Sequence, residues 1–216
     1  MEKEFVEATD RAVARLVADF QVQSTRFWNE RDIHWYLFHH LKQDPVFLCD
    51  YETELIRAEF PTRRVYTEDA KPARGHYDLV ILDPTSVTSP PVSQLLPWAP
   101  WEEYLPHVVV LVAIEVKTWV DRTTNIPEKA DWDIDKLTDP SNAVRRGYLL
   151  NFVQLDFSRR HMLDFYLALR EYLMKNARRW PKLRILCVPH GKGIQPDPRQ
   201  NWIQESWYSG GIIPDL

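Results

Sequence analysis

The sequence predicts an α/β protein in which helices flank both faces of a central mixed β-sheet. Short apolar runs typical of strands alternate with segments whose apolar residues recur at helical spacing, and this alternation favours the class. The chain has 216 residues, which favours a single domain over 1–216. Its hydrophobic content of 44% is sufficient to form a core.

The first elements are predicted to be two helices. Residues 4–20 repeat apolar side chains at helical spacing, with Phe5, Leu16 and Phe20 on one face. A second helix is predicted over 28–42. Three apolar runs then predict strands, at 54–60, 76–82 and 108–118.

The second half of the chain alternates between the two kinds of element. A helix is predicted over 131–145, a strand over 147–155 and a long helix over 158–179. One or two further strands are expected near the C-terminus: 183–188 and, with a weaker pattern, 202–207. This order gives a sheet with additional helices at both ends of the chain.

Proline interrupts the chain between the second and third predicted strands. Residues 83–107 contain six prolines, so regular structure cannot continue there for long. We expect an insertion between two core strands, and long loops inside a compact domain are often functional.

Composition limits the classes of function. The net charge is −4, so any affinity for nucleic acid must come from a local basic patch. No apolar run is long enough to span a membrane, and the mixed-charge N-terminal helix lacks the layout of a signal peptide. Cys49 and Cys187 are expected to be unpaired thiols. We therefore predict a cytoplasmic protein without a membrane partner.

Two charged residues interrupt the most apolar strand, VVVLVAIEVKTWV at 108–120. Glu115 and Lys117 are two residues apart, so both side chains project from one face of the strand. A buried charge costs several kcal/mol unless it is paired or bound to a metal. One interpretation is a simple ion pair at the end of a strand, and the other is a functional site.

Two more carboxylates stand on apolar frameworks. Asp78 opens the apolar run 79–82, where an aspartate that caps a turn is the alternative interpretation. Glu30 shares the inward face of its helix with His34 and Leu37, and a first-turn glutamate stabilised by the helix dipole is the alternative there.

Together these residues predict a metal site. Mg²⁺ binds one or two carboxylates and keeps room for a phosphate, so Asp78 and Glu115 on neighbouring strands are candidate ligands. The backbone carbonyl of Val116 is a further candidate ligand. Lys117 would stabilise charge on a phosphate or act as a base, and Mn²⁺ would substitute for Mg²⁺.

Glu30 on a helix, Asp78 on a strand and Glu115-Val116-Lys117 on the next strand resemble the PD-(D/E)XK nuclease superfamily. The resemblance covers the chain from about Trp28 to Leu155. It implies a restriction-endonuclease-like core in the order helix, three strands, helix, strand. It also implies that Asp78 and Glu115 bind Mg²⁺, that Lys117 assists catalysis and that Glu30 completes the site.

The resemblance implies a metal-dependent nuclease that hydrolyses phosphodiester bonds in DNA, with RNA left open as a substrate. Many enzymes that cut both strands are dimers, so a homodimer is one expectation. The alternative is a catalytically silent domain of the same fold that binds nucleic acid or serves in an assembly.

Several further residues are candidates for supporting roles. His76 either lies beside the site or simply begins a strand, and Lys136 either faces the site or lies on a solvated helix face. A basic cluster in the loop that leads to Asp78 would contact phosphates: Arg63, Arg64, Lys71 and Arg74.

Overall fold

Five strands form one mixed sheet in the part of the chain that the computed structural model describes. That part comprises residues 2–23, 26–48, 54–68, 71–90, 92–95, 100–119, 126–154, 160–177 and 179–190. The strands are β1 (Ile56–Glu68), β2 (Lys71–Leu82), β3 (Val110–Trp119), β4 (Val144–Gln154) and β5 (Leu183–His190), and they lie side by side in chain order. β1, β2 and β3 are antiparallel neighbours, whereas β3, β4 and β5 are parallel.

Helices precede and connect these strands. They are α1 (Glu2–Val22), α2 (Glu30–Lys42), α3 (Pro84–Thr88), α4 (Val92–Leu95), α5 (Trp101–Tyr104), α6 (Ile126–Thr138) and α7 (Arg160–Ala177). Short 3₁₀ turns occur at Pro45–Phe47, Leu105–His107 and Pro140–Asn142. The predicted α/β class with a mixed sheet is confirmed. The insertion at 83–107 contains α3, α4 and α5, each of five residues or fewer.

Helices cover both faces of the sheet, as predicted. Successive side chains of β4 point to opposite faces. Phe152 meets Phe20 of α1 with ring centroids 4.9 Å apart, and the Tyr148 hydroxyl donates to Asp10 of α1 at 2.8 Å. Gly147 points the other way, where an added Cβ would lie 3.0 Å from Leu137 of α6.

A capping box fixes the start of α2. The Asn29 side chain accepts from the Asp32 N–H at 3.2 Å, and Asp32 accepts from the Asn29 N–H at 3.1 Å. The helix therefore begins at Glu30 rather than at residue 28. Its apolar side chains Ile33 and Leu37 are fully buried, which directs the neighbouring Glu30 and His34 toward the sheet.

The predicted extents of other elements are also wrong. The helix predicted over 131–145 spans Ile126–Thr138, and β4 begins at Val144. Pro140 opens a 3₁₀ turn there, and Ala143 has a left-handed backbone with φ of 54°, so the helix cannot continue. The basic segment before Asp78 is not a loop, because β1 and β2 continue through it and pair with each other. Pro61 is tolerated in β1 because this strand lies at the edge of the described sheet.

Some predictions fall outside the described residues, namely the strand at 202–207 and Cys49. Cys187 is buried and unpaired, as expected. Among the helices that the structure describes, none combines the length and apolar character needed to cross a membrane.

An ion pair ties α1 to the turn after α2. Arg11 donates to both carboxylate oxygens of Asp44, from Nε at 2.9 Å and from Nη2 at 3.0 Å. The Val46 N–H also donates to Asp44, at 3.2 Å. Burial raises the pKa of the Asp44 carboxyl, but these donors outweigh burial and leave the pKa below its usual value.

Replacing Asp44 by asparagine is expected to destabilise the fold by about 1.5–3 kcal/mol near neutral pH, the range for hydrogen bonds to charged groups. A depressed folded-state pKa means that the contribution is present above the unfolded pKa of about 3.9 and is lost as the pH falls through the lower folded value. Urea unfolding should therefore show the difference between wild type and variant shrinking below about pH 4. A difference that stays constant across this range would contradict the assignment.

Candidate metal centre

The antiparallel strands β2 and β3 separate at the point where the candidate site lies. Their pairing runs from Leu82 opposite Val110 to Leu79 opposite Ile114 and does not continue beyond that pair. The Asp78 carboxylate accepts from the Val116 N–H at 2.6 Å. Two residues later on β3, the Thr118 N–H donates to Glu30 at 3.3 Å. Two carboxylates thus occupy the side of β3 that β2 has left.

Glu30, His34 and Asp78 form a cluster at this fork. Each offers one ligand atom, and the three atoms lie within 4.8 Å of one another. His34 Nε2 lies 3.3 Å from Asp78 Oδ2, and this buried nitrogen makes no hydrogen bond of good geometry among the described residues. A buried imidazole nitrogen beside two carboxylates is a donor set that suits a divalent ion.

Sequence reasoning placed His34 on the inward face of α2 but did not identify it as a ligand. The available signal was its spacing from Glu30, because residues four apart on a helix are neighbours on one face. Glu30 and His34 therefore approach Asp78 from the same helix.

The Asp78 carboxyl is stabilised in its ionised form. Burial raises its pKa, but His34, the Val116 N–H and the ammonium of Lys117 together lower it below the usual value. An ionised carboxylate is the form that binds a cation.

Glu115 lies outside the cluster of three and is paired with a lysine from α6. Its side chain is 1% exposed, and its Oε1 lies 2.7 Å from Lys136 Nζ. Lys136 Nζ also donates to the His76 carbonyl at 3.1 Å. Burial raises the pKa of the Glu115 carboxyl well above its usual value, against the lowering effect of Lys136, and the carboxylates of Asp133 and Asp78 raise it further. The solvated-face interpretation of Lys136 is wrong, because α6 packs this lysine against β3.

Asp133 of α6 connects the two lysines, and sequence reasoning did not identify it. Its Oδ2 lies 3.2 Å from Lys117 Nζ and its Oδ1 lies 3.1 Å from Lys136 Nζ. Burial lowers the pKa of Lys117, but Asp133 and then Glu30, Glu115 and Asp78 raise it above its usual value. The Lys117 ammonium is therefore the stable form.

Two further predictions concern the Val116 carbonyl, a candidate ligand, and His76, a candidate supporting residue. The backbone N–H and C=O of one strand residue point to the same neighbour, so the Val116 carbonyl is on the side where its N–H meets Asp78. The His76 side chain is exposed, and only its carbonyl is part of the lysine network. The single ion predicted between Asp78 and Glu115 stays a prediction.

The predicted phosphate contacts lie on the β1–β2 hairpin, where they already hold protein groups. Arg63 donates to the Val108 carbonyl, and Arg74 Nη1 donates to the carbonyls of Thr62 and Arg63 at 2.9 and 2.8 Å. Arg64 pairs with carboxylates of the α6 region: Asp135 and Asp139. The side chain of Lys71 lies outside the described part of the chain. Phosphate binding by these residues stays a prediction.

The chain is therefore an α/β protein with a mixed sheet. A cluster of two carboxylates and one imidazole lies where β2 and β3 separate. Comparisons of the chain with models of known families, with curated proteins and with solved structures gave no match.

Proposed function

We propose that this chain is a divalent-metal-dependent nuclease with a restriction-endonuclease-like fold, which hydrolyses phosphodiester bonds in DNA. The observation that carries the proposal is the cluster of Glu30, His34 and Asp78, whose ligand atoms lie within 4.8 Å of one another. The order α2, β1, β2, β3, α6, β4 also supports it, because this is the helix and strand order implied by the resemblance.

Asp78, Glu30 and His34 would hold the ion, with the Val116 carbonyl as a further ligand. The mixed oxygen and nitrogen set suits Mn²⁺ as well as Mg²⁺, because imidazole favours first-row transition ions. A bound ion supplies polarisation of a phosphoryl oxygen and lowers the pKa of a bound water.

Lys117 contributes charge rather than a base in this proposal. Its pKa is raised, so it stays protonated, and Asp133 Oδ2 orients its ammonium from 3.2 Å. A fixed ammonium stabilises the negative charge that develops on the phosphate during hydrolysis. Glu115 supports this geometry through Lys136, which also contacts Asp133.

Cleavage of supercoiled plasmid and of labelled single-stranded DNA tests the proposal, with RNA assayed in parallel. Wild type is expected to cut in Mg²⁺ or Mn²⁺ and not in EDTA. Asp78→Asn should lose this activity, whereas Asp164→Asn on the exposed side of α7 should retain it. Cleavage that survives EDTA, or that is equal in wild type and Asp78→Asn, would refute the assignment.

A catalytically silent nucleic-acid-binding module is the second candidate. It is favoured by the contacts already made within the chain: Asp78 and Glu30 accept backbone N–H groups, and Lys117 is paired with Asp133. DNA binding without cleavage by the purified wild type, in either metal, would support this alternative.

His34→Ala is expected to weaken Mn²⁺ binding by at least about 10-fold, because loss of even an indirect partner of a metal ligand costs that much. Isothermal titration calorimetry, or the electron paramagnetic resonance signal of free Mn²⁺, measures this affinity in the absence of DNA. His39→Ala is the matched control, because His39 is an exposed histidine on the same helix. Equal affinities in the two variants would remove His34 from the ligand set.

A further inference from the structure

Two tryptophans that lie within two residues of Glu30 or His34 in the sequence are unusually exposed. Trp28 is 84% exposed and Trp35 is 68% exposed, although tryptophan is normally among the more buried residues. Trp28 lies two residues before Glu30, and Trp35 directly follows His34 in α2. Trp35 therefore belongs to the helix that supplies two members of the cluster, and Trp28 lies directly before the cap of that helix.

Basic side chains alternate with these rings. Arg31 is exposed, and it lies four residues before Trp35 on α2, so the two are neighbours on one helix face. Arg26 is also exposed, two residues before Trp28. The carboxylate of the nearby Asp32 is part of the capping box of α2 and accepts a hydrogen bond from the Trp28 N–H at 2.7 Å.

The Trp35 ring contacts a second aromatic ring of α2. It stacks on Phe38 with ring centroids 6.4 Å apart and an angle of 20° between the planes. The Phe38 ring thus limits the movement of the indole on one side, while most of the indole surface stays exposed to solvent. An aromatic side chain that a neighbouring ring already restricts loses little side-chain entropy when a base stacks on it.

We propose that Trp28, Arg31 and Trp35 form a platform that binds single-stranded nucleic acid, with unpaired bases stacked on the indoles and a phosphate on Arg31. This inference rests on the proposed function, because it names the substrate of the same site. The bases of an intact duplex are stacked on one another, so an exposed indole stacks more readily on unpaired bases, whose faces are accessible. Alternating aromatic and basic side chains are the pattern that single-strand binding uses.

Fluorescence anisotropy with a labelled oligothymidine, and with a duplex of equal length, tests the platform. Measurements in EDTA keep binding separate from cleavage. Trp35→Ala is expected to weaken single-strand binding by about 5- to 160-fold, which is the range for loss of one stacked base. Trp35→Phe should retain most of the affinity, and Trp28→Ala should also weaken binding.

Trp180→Ala is the matched control, because Trp180 is a partly exposed tryptophan near the start of β5, 39% exposed. Single-strand affinity that is unchanged in Trp35→Ala, or a duplex that binds as tightly as the single strand, would overturn the inference. A dimer of wild type that Trp35→Ala converts to a monomer would overturn it as well, since the face would then be a contact between two copies. Binding that depends on Trp35 in a protein that never cleaves would refute the proposed nuclease and leave the platform standing.

Discussion

Lys136→Met is expected to lower the free energy of unfolding by about 3–5 kcal/mol, the cost of removing one partner from a buried ion pair. Lys136 has a side chain 7% exposed, and it contacts Glu115 Oε1 at 2.7 Å and Asp133 Oδ1 at 3.1 Å. Methionine fills a similar volume without a charge. The loss is therefore electrostatic, because Glu115 stays buried without a cation beside it.

The pKa of Lys136 is consistent with this expectation. Burial lowers it, but Glu115 and Asp133 outweigh burial and raise it above the usual value. The ammonium thus stays charged in the folded state, and its removal takes away the cation that lies beside Glu115.

Urea unfolding of wild type and variant measures the effect. Lys175→Met is the matched control, because Lys175 is exposed in the last turn of α7, and it should change stability by no more than about 0.5 kcal/mol. Adding Glu115→Gln to Lys136→Met should restore part of the loss, since one unpaired carboxylate is removed. A Lys136→Met protein as stable as the Lys175→Met protein would show that the network does not hold α6 against β3.

Much of the candidate site could be predicted from charged residues on apolar segments. The strand period places Glu115 and Lys117 on one strand face, and Asp78 and Glu30 stand out because each interrupts an apolar pattern. Periodicity identifies such interruptions because a strand repeats every two residues and a helix every 3.6. The same argument could not predict which charges meet.

The pairing depends on how α6 packs over β3, which no local pattern determines. Because Glu115 and Lys117 lie on the same face of the strand, the sequence suggests that they form an ion pair with each other. In the structure α6 brings Asp133 to Lys117 and Lys136 to Glu115, so each strand charge has its ion-pair partner on the helix. A residue such as Asp133, within a polar helical stretch, gives no sign of burial in sequence.

The left-handed residue that follows α6 was also beyond local prediction, although Pro140 marks the end of the helix in the sequence. Helices commonly end at a glycine with positive φ, and no glycine stands between Thr138 and Val144. Ala143 adopts the left-handed conformation instead, with φ of 54°. The fork between β2 and β3 is likewise invisible in sequence, although it is what brings Asp78 to Val116.

If the proposed function is correct, Lys117→Met is expected to reduce cleavage by about 10²–10³-fold, which is the effect of removing one preorganised group that stabilises transition-state charge. The affinity for Mn²⁺ should change little, because Lys117 is not among the clustered ligands Glu30, His34 and Asp78. This separates Lys117 from the ligand variants, which are expected to lose both metal and activity.

The fold should tolerate Lys117→Met better than Lys136→Met. Asp133 keeps its contact with Lys136 at 3.1 Å when Lys117 is removed, so no carboxylate of this network is left without a cation. Single-turnover cleavage, Mn²⁺ titration and urea unfolding on the same preparation distinguish the roles. A variant that cuts at the wild-type rate would show that the Lys117–Asp133 pair only stabilises the fold. A variant that loses Mn²⁺ binding would place the ion nearer to Glu115 and Lys117 than to His34.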